Sequence, residues 1–325
     1  MKINGFILSL LSAILLAYFF PTALSRLPLP LIINIGIGLI FFFYGLKMAP
    51  AELKQGFFNY PSHFLIQGTT FILFPFITLA FFPFFEGGTE SDLWLAIFFL
   101  GVLPSTVSSS VVMVAIAKGN LPTAIFNASI SGLIGILATP LLLSIFLSDS
   151  GKFEFLDVVL KLVFQIVLPL CAGLLLQRFF GNIALKYSKS LGLFDKAVIV
   201  LIVYSSFSNS FNSNLFATVG VLDLVKLFAI VIVLFFLVYG MMSYICRILG
   251  FSLKDTITVK FCGTKKSLVH GSVMVKIIFG SSASVGLFLL PIMLYHILQL
   301  LLVSVFAENY RQKWLKQSNP AIVED

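Results

Sequence analysis

"FCGTKKSLVHG" (residues 261–271) sets two adjacent lysines, Lys265 and Lys266, inside an otherwise apolar stretch. A lysine at the centre of a bilayer costs about 2.5–3.5 kcal/mol on insertion scales, so a membrane chain that carries two side by side needs a reason for them. Composition makes this a membrane chain. Of 325 residues, 59% are hydrophobic and 10% charged, with mean hydropathy +1.07, whereas a soluble domain carries about 25% charged residues. The net charge of +8 does not indicate nucleic acid, because the basic residues stand singly between apolar runs and form no patch with interleaved aromatics.

At about 20 apolar residues per crossing, the chain divides into ten expected spans. They lie near 4–20, 28–47, 61–83, 93–117, 121–147, 155–179, 193–210, 222–246, 256–279 and 284–306. The N-terminal run is read as the first span rather than a cleaved signal. With the N-terminus in the cytoplasm, that side holds Lys2, Lys47, Lys54, Lys118, Arg178, Lys186, Lys189, Lys196, Arg247, Lys254, Arg311, Lys313 and Lys316. The outer connectors hold Arg26 and Lys152, and Lys161 and Lys226 lie just inside outer helix ends. This positive-inside bias puts both termini in the cytoplasm, in an integral membrane protein expected in a bacterial inner membrane. All thirteen acids are read into connectors, tails or first helical turns, so no carboxylate is expected to pair with Lys265 or Lys266.

Ten spans split into five plus five, and an odd number per half makes the second half an inverted repeat. The expected fold is therefore an all-α polytopic membrane protein. Its two inverted five-helix repeats cover 1–150 and 151–310, followed by a cytoplasmic tail at 311–325. The fourth span holds "LPSTVSSSVVMV" (103–114) and the ninth "CGTKKSLVHGSVMV" (262–275). Without gaps, Thr106 meets Thr264 and Ser109 meets Ser267. Pro104 removes a backbone donor, Gly263 permits non-helical backbone, and Ser105, Thr106, Ser108, Ser109 and Ser110 can satisfy freed backbone groups. Both spans are read as broken and crossing each other, since non-helical backbone at membrane depth must be buried in protein or line water. The competing reading is a proline-kinked helix whose hydroxyls bond back to their own turn.

The fifth span carries Thr123, Asn127 and Ser131 at i, i+4 and i+8, and Gln67 is the only amide of the third. Helix-packing contacts and site lining both account for them. Cys171, Cys246 and Cys262 show no ligand spacing, and the isolated His63, His270 and His296 match no metal motif. No nucleophile–base pair or phosphate loop is present, so no enzymatic activity is expected.

The residues "LPSTVSSSVV", "AIFNASISGLIGILATPLLL", "FCGTKKS" and "GLIFFFYGLKMAP" resemble the bile acid:sodium symporter (solute carrier 10) superfamily, in the bacterial SBF-like branch related to its seventh human member. The resemblance covers roughly residues 5–310. It implies a panel and a core domain, each built from both repeats, and broken, crossing fourth and ninth helices. Sodium-coupled members hold Na⁺ with hydroxyl and amide groups of the fourth and fifth helices and with a Glu-x-Gly-x-Gln-Asn segment of the ninth. Here Gly263 matches the motif glycine. The glutamate position becomes Phe261, and the glutamine and asparagine positions become Lys265 and Lys266. The fourth-helix Ser-Asn pair becomes Ser109 and Ser110. Gln67 is a candidate third-helix ligand, and Thr123 and Asn127 lie one residue off the fifth-helix positions. A lysine has donors and no acceptor, so the family's sodium sites are substituted and no metal is expected.

Two roles suit the lysines. Their ammonium groups can replace the ions by donating to hydroxyls and to broken-helix carbonyls, which carry negative partial charge, or one of them can bind an anionic substrate. A third reading slides the pair to a cytoplasmic interface. The expected function is a secondary transporter of a small, anionic organic solute by alternating access, working without sodium; the alternative is a non-transporting regulator of ion or lipid homeostasis acting through a partner. No cofactor is expected, Na⁺ or H⁺ coupling stays open, and the expected partners are a small-molecule substrate and the lipid bilayer. Oligomeric state is not legible.

Overall fold

The structure, a computed structural model, describes residues 5–48, 54–85, 91–147, 155–214, 219–280 and 284–318. The described residues form helices joined by short connections, with no strand among them. Helix α1 is Gly5–Phe19 and α2 is Leu29–Lys47, opened by prolines in its first positions. Helix α3, Tyr60–Gly68, runs through a π-helical turn at Thr69–Leu73 into α4, Phe74–Leu79. Helices α5 (Asp92–Val102), α6 (Ser108–Ile116) and α7 (Leu121–Leu147) follow. Helix α8, Phe155–Leu162, passes through a second π-helical turn at Val163–Val167 into α9, Leu168–Lys186. The rest are α10 (Ser188–Asn212), α11 (Val221–Ile248), α12 (Leu253–Gly263), α13 (Leu268–Phe279) and α14 (Val285–Ser318).

Seven continuous helical runs are long and apolar enough to cross a membrane: Leu29–Lys47, Tyr60–Phe84, Leu121–Leu147, Phe155–Lys186, Ser188–Asn212, Val221–Ile248 and Val285–Leu315. Helices α1 and α5 are apolar but shorter. The expected spans near 93–117 and 256–279 are each interrupted: α5 stops at Val102 and α6 begins at Ser108, while α12 stops at Gly263 and α13 begins at Leu268. Helices α1, α2, α9 and α10 pack on one another, and α14 packs on α5, α11 and α13. Helices α10 and α14 join these groups.

Three sequence expectations are displaced. Helix α14 runs to Ser318, well past the expected end near 306, because Glu308, Gln312 and neighbouring helix formers continue it, with Arg311 Nη2 2.7 Å from Glu308 Oε1. Helix α10 opens at Ser188, so Asp195 sits two turns inside it, where its carboxylate lies 3.6 Å from Lys47 Nζ. Glu308 is therefore a helical acid and not a connector residue, and Asp195, expected in a first helical turn, lies deeper in its helix. Gly263 ends α12 in ordinary helical geometry, and a Cβ there would rest 3.6 Å from Thr69; the break follows it, and conformational freedom is not what the position requires. Lys2, Glu52, Glu86, Glu90, Asp149, Lys152, Glu154, Glu324 and Asp325 lie outside the described residues.

Helices α2 and α9 approach each other closely at Gly45 and Gly173. A Cβ on Gly173 would collide with the Phe42 carbonyl oxygen, and one on Gly45 with the Leu170 carbonyl oxygen. Small residues that let backbones touch are a main source of helix association in lipid, where no hydrophobic force separates helices from solvent. Gly173→Ala is expected to destabilise the protein by about 1–3 kcal/mol, the usual range for overpacking. Gly240→Ala, where nothing lies within 4 Å of the new Cβ, is expected to leave the thermal unfolding midpoint in detergent unchanged. Equal midpoints for the two variants would contradict the close approach.

Candidate functional site

The two breaks meet. Backbone that leaves a helix inside apolar surroundings exposes donors and acceptors that must find partners, and here each break supplies part of the other's need. Ser267 N donates to Pro104 O at 2.9 Å. Ser105 Oγ donates to Cys262 O at 2.6 Å, and Ser105 N donates to Ser131 Oγ on α7 at 2.9 Å. Thr139 Oγ1, also on α7, donates to Val102 O at 2.8 Å. From α14, Tyr295 Oη donates to Thr264 O at 2.6 Å. The Gln299 amide brackets Lys266, accepting from its N–H at 2.9 Å and donating to its carbonyl at 2.8 Å.

The ammonium of Lys266 completes the set. It donates to Gly101 O at 2.6 Å and Leu103 O at 2.8 Å, at the C-terminal end of α5, and to Thr70 O at 2.9 Å. The Thr70 carbonyl is free for a local reason. In the π-helical turn the Phe74 N–H bonds Thr69 O, one residue beyond its α-helical partner, and the next residue, Pro75, has no N–H. No helical donor remains for Thr70. A lysine has three donors, and Lys266 places all three on carbonyls, with the Phe74 ring centroid 4.1 Å from Nζ. Lys265 Nζ donates to one carbonyl, Ser109 O, at 2.8 Å. Among the described residues no carboxylate pairs with either lysine. Lys265 and Lys266 are 0% and 1% exposed, so neither side chain is bathed in solvent.

Comparison with known proteins finds a matching family and similar chains. The family model of the SBF-like CPA transporter family (DUF4137) matches residues 4–312. The chain belongs to this family. It is 36% identical over 312 residues to the uncharacterized protein PA2026 of Pseudomonas aeruginosa, covering 95% of this chain and 93% of that one. It is 31% identical to the putative symporter YfeH of Escherichia coli, covering 96% and 94%. It is 30% identical to the sodium/bile acid cotransporter 7 of Rattus norvegicus, covering 89% and 87%. The family name and the names of the Escherichia coli and Rattus norvegicus relatives are those of transporters and not of enzymes, and with its apolar helices the SBF-like chain is an integral membrane protein.

The candidate residues of this SBF-like chain fall into two groups. Ser105, Thr106, Ser109, Ser110, Ser131, Lys265, Lys266 and Ser267 gather at the crossing of the breaks. Thr106 Oγ1 lies 2.9 Å from Ser109 Oγ and 2.7 Å from Ser110 Oγ, which approaches Phe261 O at 3.5 Å. Ser267 is a helix cap, its Oγ accepting from His270 N at 3.2 Å, and Thr264 Oγ1 bonds back to Lys260 O at 2.6 Å. Gly263 lies against Thr69. Ser108 opens α6; its side chain lies outside the description. The second group joins α3 to α7: Gln67 Nε2 donates to Asn127 Oδ1 at 3.0 Å, Asn127 Nδ2 lies 2.7 Å from His63 Nδ1, and Asn59 Nδ2 donates to Thr123 Oγ1 at 3.1 Å. The Thr123–Asn127–Ser131 stripe thus faces α3 at two positions and the break at the third.

Sequence reasoning missed Tyr295, Gln299, Thr139 and the His63 contact. Lone polar groups in apolar helices were the available signal: Gln299 stands four residues after Tyr295, and His63 four before Gln67. The repeat alignment is also shifted. A gapless offset of 158 pairs Thr106 with Thr264, yet Thr106 lies near the end of the first break and Thr264 opens the second.

Lys266→Met removes the charge and leaves the Thr70, Gly101 and Leu103 carbonyls buried without that donor. At about 1–3 kcal/mol per orphaned group, it is expected to lower stability by several kcal/mol. Lys265→Met, which orphans one carbonyl, is expected to cost less. Urea or thermal unfolding of the purified variants tests the order, and equal losses would contradict it.

Proposed function

We propose that the protein is a secondary transporter of a small organic anion that works without sodium, with the ammonium groups of Lys265 and Lys266 standing in for bound ions. The single observation behind this reading is Lys266 Nζ held by three backbone carbonyls at 2.6–2.9 Å. Unwound carbonyls and half-helix C-terminal ends are the groups that coordinate coupling cations in broken-helix transporters. A tethered cation on those carbonyls leaves no need for a free one, and it cannot dissociate.

Lys265 supports the anionic character of the substrate. It carries three donors and uses one on Ser109 O, beside the hydroxyls of Thr106, Ser109 and Ser110, so it is the cation with donors to spare. The broken pairs α5–α6 and α12–α13, counted as one span each with α1 and the seven long runs, total ten spans, which divides into two inverted halves of five. The two packing groups joined through α10 and α14 suit a panel and a core that rock about a fixed site. The positive-inside charge pattern favours cytoplasmic termini in an inner membrane. The names printed for the relatives, putative symporter and sodium/bile acid cotransporter, agree with transport as the class; the substrate belongs to this reading alone.

The test has two steps. Thermal stabilisation of the purified protein across a library of small anions finds a ligand, since binding to the folded state raises its melting temperature. Uptake of that ligand into proteoliposomes is then expected to be saturable and equal in Na⁺ and K⁺ media, and to fall at least tenfold in Lys265→Gln, a loss of about 1.4 kcal/mol or more. Uptake that requires Na⁺ would refute ion replacement. Binding without flux would refute transport.

A further inference from the structure

A second positively charged site lies away from the crossing. Lys260, on α12, is 7% exposed. Its ammonium stands over the Tyr239 ring of α11, 4.1 Å from the centroid, and donates to Tyr310 Oη of α14 at 3.2 Å. Tyr239 and Tyr310 in turn line a cavity of about 170 Å³ between α11 and α14, completed by Phe306, Asn309 and Lys313. The Tyr310 oxygen accepts this hydrogen bond from Lys260 and is also hydrogen-bonded to Tyr239. Asn309 and Lys313 bring an amide and an ammonium donor to one small space beside the Tyr310 hydroxyl, backed by a buried cation.

Nothing acidic among the described residues offsets that charge. Neither Lys260 nor Lys313 forms an ion pair there. Glu308, the acid of this part of α14, is engaged by Arg311 and Gln312. Asp255, at the start of α12, is held by Asn59, Asn120 and Ser252. The cavity lies where α14 passes from the apolar run into Arg311 and Lys313. Basic pockets between membrane helices at this level hold anionic head groups. A phosphate offers several acceptor oxygens to a cluster of O–H and N–H donors.

We propose that this cavity binds a phosphate group, carried by an anionic lipid head group or by a soluble phosphate compound. It is independent of the crossing site, and its test needs no transport. The protein is reconstituted in nanodiscs of phosphatidylcholine alone or with increasing phosphatidylglycerol, and melted with and without inorganic phosphate. Lys313→Ala and Tyr310→Phe leave the buried Lys260 in place, and Lys260→Met tests the cation itself. Stabilisation by phosphatidylglycerol, weakened about fivefold in apparent affinity by Lys313→Ala, supports a lipid source. Stabilisation of the phosphatidylcholine sample by inorganic phosphate, weakened by the same variants, supports a soluble one. No stabilisation by either, or an effect equal in wild type, Lys313→Ala and Tyr310→Phe, overturns the site.

Discussion

The Lys266 ammonium meets carbonyl oxygens from three points in the chain, two at the end of α5 and one at the π-helical turn before α4. Each of those oxygens lost its helical donor for a separate reason: α5 stops at Val102, its chain turns away before Pro104, and Pro75 follows the turn after Thr70. Three local defects would each be expensive in apolar surroundings, where an unpaired backbone group costs about as much as a lost hydrogen bond. One flexible side chain from a segment more than 160 residues away in sequence resolves all three together. The buried charge and the broken backbone are therefore tolerated jointly: neither is stable in this interior without the other.

Around that contact further polar groups tie the breaks to each other and to their neighbours. Ser105 and Ser131 join the first break to the second and to α7, while Tyr295 and Gln299 secure the second break from α14. A site stitched across this many elements shifts as a unit and not residue by residue, because moving one strand of backbone orphans partners on two others. That is the mechanical property the proposed alternating access asks of its site.

The two lysines are neighbours in sequence and differ in what they do with the same chemistry. Lys266 exhausts its donors on the fold. Lys265 spends one on Ser109 O and keeps hydrogen-bonding capacity beside a row of hydroxyls. Motif comparison treats the pair as one substitution of Gln-Asn; geometry separates a structural cation from one with spare capacity.

Much was legible in the residues themselves. Membrane class followed from composition, and span positions from apolar length. The first break followed from Pro104 and the lack of acidic partners from where carboxylates stand, while the second break, read from Gly263, falls just after that residue. These are local properties, carried by single residues or short windows, so the chain order reveals them. Other readings needed the folded chain. Ser267 looks like a site hydroxyl and is a helix cap, and Thr264 bonds to its own turn. Tyr295, Gln299 and His63 look like isolated polar residues and are contacts of the site. Which donor reaches which carbonyl depends on where helices separated by tens to hundreds of residues come into register, and packing between α5, α7, α12 and α14 decided that, since no local sequence pattern records a pairing made across the bundle.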